Sequence, residues 1–170
     1  RDIDAERYGS DHWRTRISQS DLDSISRIMR FPDDQQTPLV ECMDLARQCV
    51  QSFDRDDIRS AWNAINSGMP EWQRVMGTDN NVYCIFISRL ASINWMAGRD
   101  DVALEQLEEA LQCIEAVMGR ESYLYALLLH RKGTIIGRRL MHFEEALELL
   151  KDADRLLKRA GGSNASRSII

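Results

Sequence analysis

The sequence predicts an all-α fold of three stacked antiparallel helical hairpins behind an N-terminal helical segment, and three observations support this. Gly and Pro supply only 9 and 3 of the 170 residues, fewer than a turn-dense β-sandwich or a low-complexity chain would contain. Apolar residues recur at helical spacing along most of the chain. The motif at 55–58 returns at 99–102, 44 residues later, and that at 75–77 returns at 117–119, 42 residues later. Such a period is typical of stacked helical repeats.

Residues 1–36 are predicted to form a polar N-terminal segment with one short helix. Ser20 can cap this helix, and its apolar residues form one stripe made of Leu22, Ile25, Ile28 and Met29. Since so short a helix is marginal alone, the stripe should pack against something. We expect it to cap the repeats; a partner-binding or autoinhibitory segment and a disordered segment are the alternatives.

The first hairpin begins where Thr37 can cap and Pro38 can open a helix. Its apolar stripe consists of Leu39, Met43, Ala46, Val50 and Phe53. The second helix starts near Asp56, and its stripe consists of Ile58, Ala61, Trp62 and Ile65. Gly68 should close that helix before a short turn that carries Trp72, Val75 and Met76.

The second and third hairpins repeat this plan, with helices near 81–97, 100–118, 123–140 and 144–160. The inward residues of the second hairpin are predicted to be Val82, Ile85, Phe86, Leu90, Ile93, Ala97, Val102, Ala103, Leu107, Ala110, Leu111, Ile114, Val117 and Met118. Those of the last helix are predicted to be Phe143, Ala146, Leu147, Leu150, Ala153, Leu156 and Leu157. Gly133 and Gly137 lie four apart, so both can admit a close helix neighbour. The repeat domain thus spans 37–162, and 163–170 form a flexible tail.

The turn and second helix of the later hairpins resemble the tetratricopeptide repeat. The resemblance is carried by the stretches 98–103 and 142–147 and by the small residues Ala110 and Ala153. The spacing is longer than the standard repeat and is similar to the stretched variant of kinesin light chains. The usual turn Gly is replaced by Met141 in the last copy. The resemblance implies a right-handed solenoid whose concave groove takes a segment of another protein.

Charge and cysteine usage exclude several classes of protein. With 22 basic and 27 acidic side chains the net charge is −5, which argues against binding nucleic acid through its phosphates. No apolar run approaches the roughly 20 residues that cross a bilayer. The N-terminus carries no export signal, and Cys42, Cys49, Cys84 and Cys113 form no Cys-x-x-Cys pair. We therefore expect reduced thiols and an intracellular, cytoplasmic protein without a membrane partner.

Enzymatic chemistry finds no support in the sequence. His12, His130 and His142 are scattered, and none lies in a motif that gathers metal ligands. The sequence also holds no Gly-rich phosphate loop behind a strand. Cys42 and Cys49, seven apart, are predicted to be core residues rather than nucleophiles. We expect no enzyme, cofactor or metal.

A peptide-binding groove is the function that the sequence favours, although these positions also fit ordinary solvated faces. First helices line the concave face of such a stack, and their polar positions form matching rows. The candidate partner-binding residues are Gln48, Gln51, Ser88, Ser92, Trp95, Arg131 and Arg138. The two arginines would suit an acidic partner, because guanidinium binds carboxylates bidentately.

The expected function is therefore that of an intracellular scaffold or adaptor that binds a protein or peptide. The alternative is a regulatory or dimerisation domain of a larger signalling or transcription protein, with the N-terminal segment filling the groove; a homo-oligomer stays open. RNA contact through the basic residues near Arg131 and Arg138 is a weaker alternative, which steep salt dependence would reveal.

Overall fold

The protein is described by a computed structural model that covers residues 12–139 and 141–162, and these residues form seven helices and no strand. The helices are α1 Trp13–Ile28, α2 Asp33–Asp54, α3 Ile58–Met76, α4 Asn81–Met96, α5 Asp100–Val117, α6 Tyr123–Arg139 and α7 Phe143–Gly162. The predicted all-α class is confirmed. Residues 1–11, Leu140 and the predicted tail at 163–170 lie outside the described residues.

Six of the helices pack as three pairs of sequence neighbours. The most extensive contacts join α2 to α3, α4 to α5, and α6 to α7. Helices α3 and α5 also contact the helix that follows them, and α2 contacts α4. The first helix, α1, contacts α2, α4 and α5. Helix α4 is consequently surrounded by neighbours, which explains why most of its residues are buried.

The repeat is visible in the backbone. The link inside each pair contains one residue with a left-handed φ: Asp56 at 60°, Gly98 at 72° and Met141 at 56°. These residues are 42 and 43 positions apart. The ends of α3 and α5 repeat likewise, because Gly77 and Gly119 have φ of 76° and 86°. Each turn of the chain is thus made in the same way, although only some turns have the Gly that tolerates this conformation.

The helices that open the second and third pairs are capped at equivalent positions. The Asn80 side chain accepts a hydrogen bond from the Tyr83 backbone N–H at 3.0 Å, and the Ser122 hydroxyl accepts one from Tyr125 at 3.2 Å. Asn80 also accepts a hydrogen bond from the indole of the fully buried Trp72 at 2.7 Å. That bond ties the end of α3 to the start of α4.

The small residues predicted to allow close helix packing are buried or closely packed. Ala110 and Ala153 are fully buried. A Cβ on Gly133 would lie 3.1 Å from Leu150 Cγ, and a Cβ on Gly137 would lie 3.1 Å from Ala146 Cβ. The close-packing interpretation of the two glycines is confirmed, because their missing side chains let α6 and α7 approach.

Three predicted helix ends are wrong. Helix α1 begins at Trp13, so Ser20, which was predicted to cap it, lies inside the helix. Helix α2 begins at Asp33, one turn before Thr37, so Pro38 lies inside it and the predicted boundary at residue 37 falls within a helix. Helix α3 runs on through Gly68 and Pro70 to Met76. Gly68 does not end the helix; it makes room, because a Cβ there would lie 2.7 Å from Phe86 Cζ. Tertiary packing of the apolar face outweighs the hydrogen bonds that the prolines remove.

The expectation of four reduced cysteines is also wrong. Cys84 on α4 and Cys113 on α5 form a disulfide with a Cα–Cα distance of 5.7 Å. Cys42 and Cys49 are free and buried in α2, which confirms them as core residues. Burial raises the pKa of Cys49 to about 11 and keeps it a thiol. The prediction of an intracellular chain depended partly on reduced thiols and stays a prediction.

Helix α1 docks by a face that includes only one residue of the predicted stripe. Ile28 is buried, but Leu22, Ile25 and Met29 expose 52%, 45% and 72% of their surface. The buried side of α1 includes the polar residue Ser24. The predicted apolar stripe is therefore mostly left in solvent.

Polar contacts join α1 to the ends of three other helices. Arg16 donates to the carbonyl of Ala116 near the end of α5, and Arg27 donates to that of Met76 at the end of α3. The Asn81 backbone N–H, at the start of α4, donates to the Ser20 hydroxyl at 3.0 Å. Cations thus meet helix C-termini and a hydroxyl meets an N-terminus, as the helix dipole favours. These contacts explain how α1 docks without burying its apolar stripe.

Four other residues predicted to face inward are exposed: Ala97, Val102, Phe143 and Leu147. The two on α7 lie on its flank, since α7 has α6 as its one extensive contact among the described helices. No described helix is long and apolar enough to cross a bilayer.

Candidate functional site

The predicted site residues fall into three groups. Gln48 and Gln51 are exposed on α2 and lie in no described cluster. Ser88 and Ser92 are buried on α4, so their prediction as surface contacts is wrong. Their hydroxyls donate to the backbone carbonyls of Ile85 and Ser88 within the helix, which satisfies them without a partner. The remaining three residues, Trp95, Arg131 and Arg138, line one surface.

Arg131 is the centre of a cluster built by three helices. Its guanidinium donates to the Ser92 hydroxyl and lies 6.0 Å from the Trp95 ring centroid and 5.9 Å from that of Phe53. Arg89 lies 4.9 Å from the same Phe53 centroid. Phe53 belongs to α2, Arg89, Ser92 and Trp95 to α4, and Arg131 to α6. We call these five residues the arginine–aromatic cluster.

The two arginines of the cluster have no counter-charge among the described residues. Among the residues that the structure describes, neither Arg89 nor Arg131 forms an ion pair. The Nε of Arg89 is buried and has no hydrogen-bond partner. Burial, and secondly the charge of Arg89, lowers the pKa of Arg131 to about 10. Arg131 still carries its charge at neutral pH, next to a like charge.

Sequence reasoning missed Arg89 and assigned Phe53 to the core stripe. A signal for Arg89 was present, because it precedes Arg131 by 42 residues, the interval between equivalent repeat positions. Arg47 lies a further 42 residues upstream, yet it is exposed and forms an ion pair with Asp44 at 2.6 Å. The same repeat position thus holds one solvated arginine and two partly buried ones.

A cleft of about 440 Å³ adjoins the cluster at Trp95, which lines it. Its lining includes Trp95, Ile135 and Arg138, and Arg139 in its wall donates to Asp100 at 2.9 Å. Trp95 therefore contributes to both the cluster and the cleft. Arg131 and Arg138, predicted to follow one strip, are thereby placed on adjoining parts of one surface.

A second cleft, of about 620 Å³, separates α1 from the helix ends on which it docks. Arg16 and Arg27 line it, and both donate to backbone carbonyls there. Because these two arginines, together with Ser20, already hold α1, the cleft is less suited to a ligand than the cluster.

The arginine–aromatic cluster presents groups that can bind a ligand. It offers two cations and two aromatic faces but contains no carboxylate, thiol or imidazole that could act as nucleophile or base. Across the described part of the chain, no three His, Cys, Asp or Glu residues are grouped closely enough to hold a metal ion. No protein-family model and no curated protein matches this chain.

Proposed function

We propose that this chain is a protein-interaction module that binds an acidic segment of a partner protein at the arginine–aromatic cluster. The supporting observation is that Arg89 and Arg131 are partly buried and that neither forms an ion pair with a carboxylate of the described residues. A charge that is removed from water without a partner is unfavourable, and a ligand carboxylate would relieve it.

The surroundings of the pair suit a peptide. Phe53 and Trp95 provide apolar walls beside the cations, and the neighbouring cleft with Ile135 and Arg138 can take further side chains. Aromatic residues and arginine are the types that dominate binding energy in protein interfaces. A charge-assisted hydrogen bond to each guanidinium contributes about 1.5–3 kcal/mol.

The proposal includes a tetratricopeptide-like right-handed solenoid in which α2, α4 and α6 line the concave face. Two observations support it: the 42- and 43-residue recurrence of left-handed turns and the contact between α2 and α4. All cluster residues belong to these first helices of the three pairs. An extended segment crossing them would meet Phe53, Arg89 and Arg131 in turn.

One observation favours the alternative of a regulatory or dimerisation domain. The exposed stripe of Leu22, Ile25 and Met29 on α1 is an apolar surface of the kind that binds other chains. Helix α1 does not fill the groove, however, since it docks at Asn81, and Asn81 and Trp95 are separated along α4 by roughly 21 Å at 1.5 Å per residue.

Binding of acidic peptides to matched variants tests the proposal. A library of unstructured peptides should yield Asp- and Glu-rich ligands, and calorimetry should show binding weakened at least tenfold, about 1.4 kcal/mol, in Arg89→Gln/Arg131→Gln. Arg47→Gln is the matched control, because Arg47 occupies the same repeat position but is solvated. Equal affinity of both variants, with unchanged circular dichroism, would place binding elsewhere.

A further inference from the structure

The charge of the arginine pair is larger than one carboxylate can balance. Arg89 and Arg131 together carry +2, and the contacts of Arg131 in the described chain are the neutral Ser92 hydroxyl and two aromatic rings. Aromatic faces attract cations but carry no net charge. The uncompensated charge therefore calls for a ligand group with a charge near −2.

The hydrogen-bond donors of the pair are likewise more numerous than a carboxylate can accept well. Each guanidinium has five N–H donors in a planar fork. One donor of Arg131 is occupied by Ser92, and the buried Nε of Arg89 has no acceptor in the described chain. A phosphate monoester offers three acceptor oxygens and a charge of about −1.5 to −2 at neutral pH. It therefore offers more acceptors and more charge than a carboxylate, which has two oxygens and one charge.

The position of the pair favours a phosphate on a side chain over a free anion. Arg89 and Arg131 come from two successive repeats, and both stand against the same ring, Phe53. Trp95 continues the surface into the neighbouring cleft. A group held at the pair would therefore have room for a peptide on at least one side, where the apolar walls add affinity.

We infer that Arg89 and Arg131 form a binding site for the phosphoryl group of a phosphorylated side chain in the partner segment. This inference rests on the proposed function and narrows its ligand from an acidic segment to a phosphorylated one. Phosphorylation of the partner would then switch the interaction on, because the arginine pair stays unbalanced without it.

The first test uses the wild-type chain and small anions. Inorganic phosphate and acetate are titrated at constant ionic strength while the side-chain Nε–Hε resonances of the arginines are followed by NMR. Phosphate should shift the signals of Arg89 and Arg131 saturably and bind at least about tenfold more tightly than acetate. Arg47 and Arg138 should respond little. Equal binding of the two anions overturns the phosphoryl assignment but leaves an acidic partner intact; no response to either overturns the anion site altogether.

The second test separates a phosphorylated side chain from other phosphoryl ligands. A phosphoserine peptide, the same peptide with serine, and adenosine monophosphate are titrated into wild type, Arg89→Gln and Arg131→Gln. The phosphopeptide should bind most tightly, and each substitution should weaken it about tenfold or more while Arg138→Gln weakens it less. Tighter binding of the nucleotide, or no advantage of phosphoserine over serine, contradicts the inference. Because the anion titration needs no variant, a substitution that impairs folding leaves the inference testable.

Discussion

Arg89 and Arg131 occupy the same position in successive repeats, 42 residues apart, and both guanidinium groups stand over the ring of Phe53. Like charges repel one another, and burial adds to this cost, whereas the shared aromatic ring attracts both cations. The repeat explains how two cations come to converge, since an equivalent position on each first helix points toward the same surface. Phe53 thus links the fold to the candidate site.

Replacing the Phe53 ring should therefore affect the contacts of both arginines. Phe53→Leu removes two cation–π contacts, each of about 0.5–2 kcal/mol, and should lower the free energy of unfolding by about 2 kcal/mol in denaturant titrations. It should also weaken peptide binding. The matched control is Phe143→Leu, whose ring is 61% exposed and should change stability by less than about 0.5 kcal/mol. Equal effects of the two substitutions would contradict the role given to Phe53.

The glycines of helices α3 and α6 should not tolerate even a methyl group. In an exposed helix Gly→Ala stabilises by about 1 kcal/mol, but Gly68→Ala and Gly133→Ala place a Cβ within 2.7 Å and 3.1 Å of neighbouring carbons. Both should instead destabilise by about 1–3 kcal/mol because the neighbouring helices must move apart. Thermal unfolding measures this directly. Ser67→Ala, on the exposed side of α3, is the control, and a gain of stability in all three would disprove the close packing.

Replacing Met141 by Gly in the left-handed turn should stabilise the folded chain. A non-Gly residue at φ of 56° is strained by about 1–2 kcal/mol, and the equivalent residue Gly98 avoids this strain. Met141→Gly should therefore raise the free energy of unfolding by about 1 kcal/mol after the added chain entropy is subtracted. Met96→Gly, at an exposed methionine at the end of α4, should lower the free energy of unfolding instead. Destabilisation by both would mean that the turn is not left-handed in solution.

The disulfide predicts a redox-dependent stability. Cys84 and Cys113 close a loop across 29 residues, and such a crosslink contributes about 2–4 kcal/mol. Reduction should lower the melting temperature of the wild type but not of Cys84→Ser/Cys113→Ser. Cys42 and Cys49 should stay unreactive toward alkylating reagents near pH 8 until the chain unfolds, because burial raises the pKa of both thiols. Fast labelling of four thiols in the native chain would contradict the disulfide.

The sequence predicted the helices better than their ends, and the physical reason is visible at Pro38, Gly68 and Pro70. The periodicity of apolar residues indicates which face of a helix is buried, and most of the stability of a helix comes from burying that face. Gly and Pro report only local preference, which packing overrode three times. The disulfide could not be inferred because the facing of Cys84 and Cys113 depends on how α4 and α5 pair, and sequence spacing does not give that.

Only part of the candidate site could be predicted, again because burial depends on how the helices pack. Trp95 and Arg131 were recognisable as polar or amphipathic positions on first helices. Ser88 and Ser92 have the same spacing, but α4 is enclosed on nearly all sides, so its small hydroxyl residues are buried. Arg89 lies outside those single-helix rows, and its one signal is its 42-residue spacing from Arg131. Exposure on a central helix is a property of its neighbours and cannot be read from that helix alone.

The docking of α1 should depend on its polar contacts and not on its exposed apolar residues. Arg16 and Arg27 hold α1 on the carbonyl ends of α5 and α3. Arg16→Ala/Arg27→Ala should therefore loosen α1, with faster amide exchange across it and a loss of about 1 kcal/mol for each contact. The triple variant Leu22→Ser/Ile25→Ser/Met29→Ser should leave exchange in α1 nearly unchanged, because these side chains are exposed. The reverse result would mean that α1 docks by its apolar stripe, as the sequence alone predicted, and that the polar contacts do not hold it.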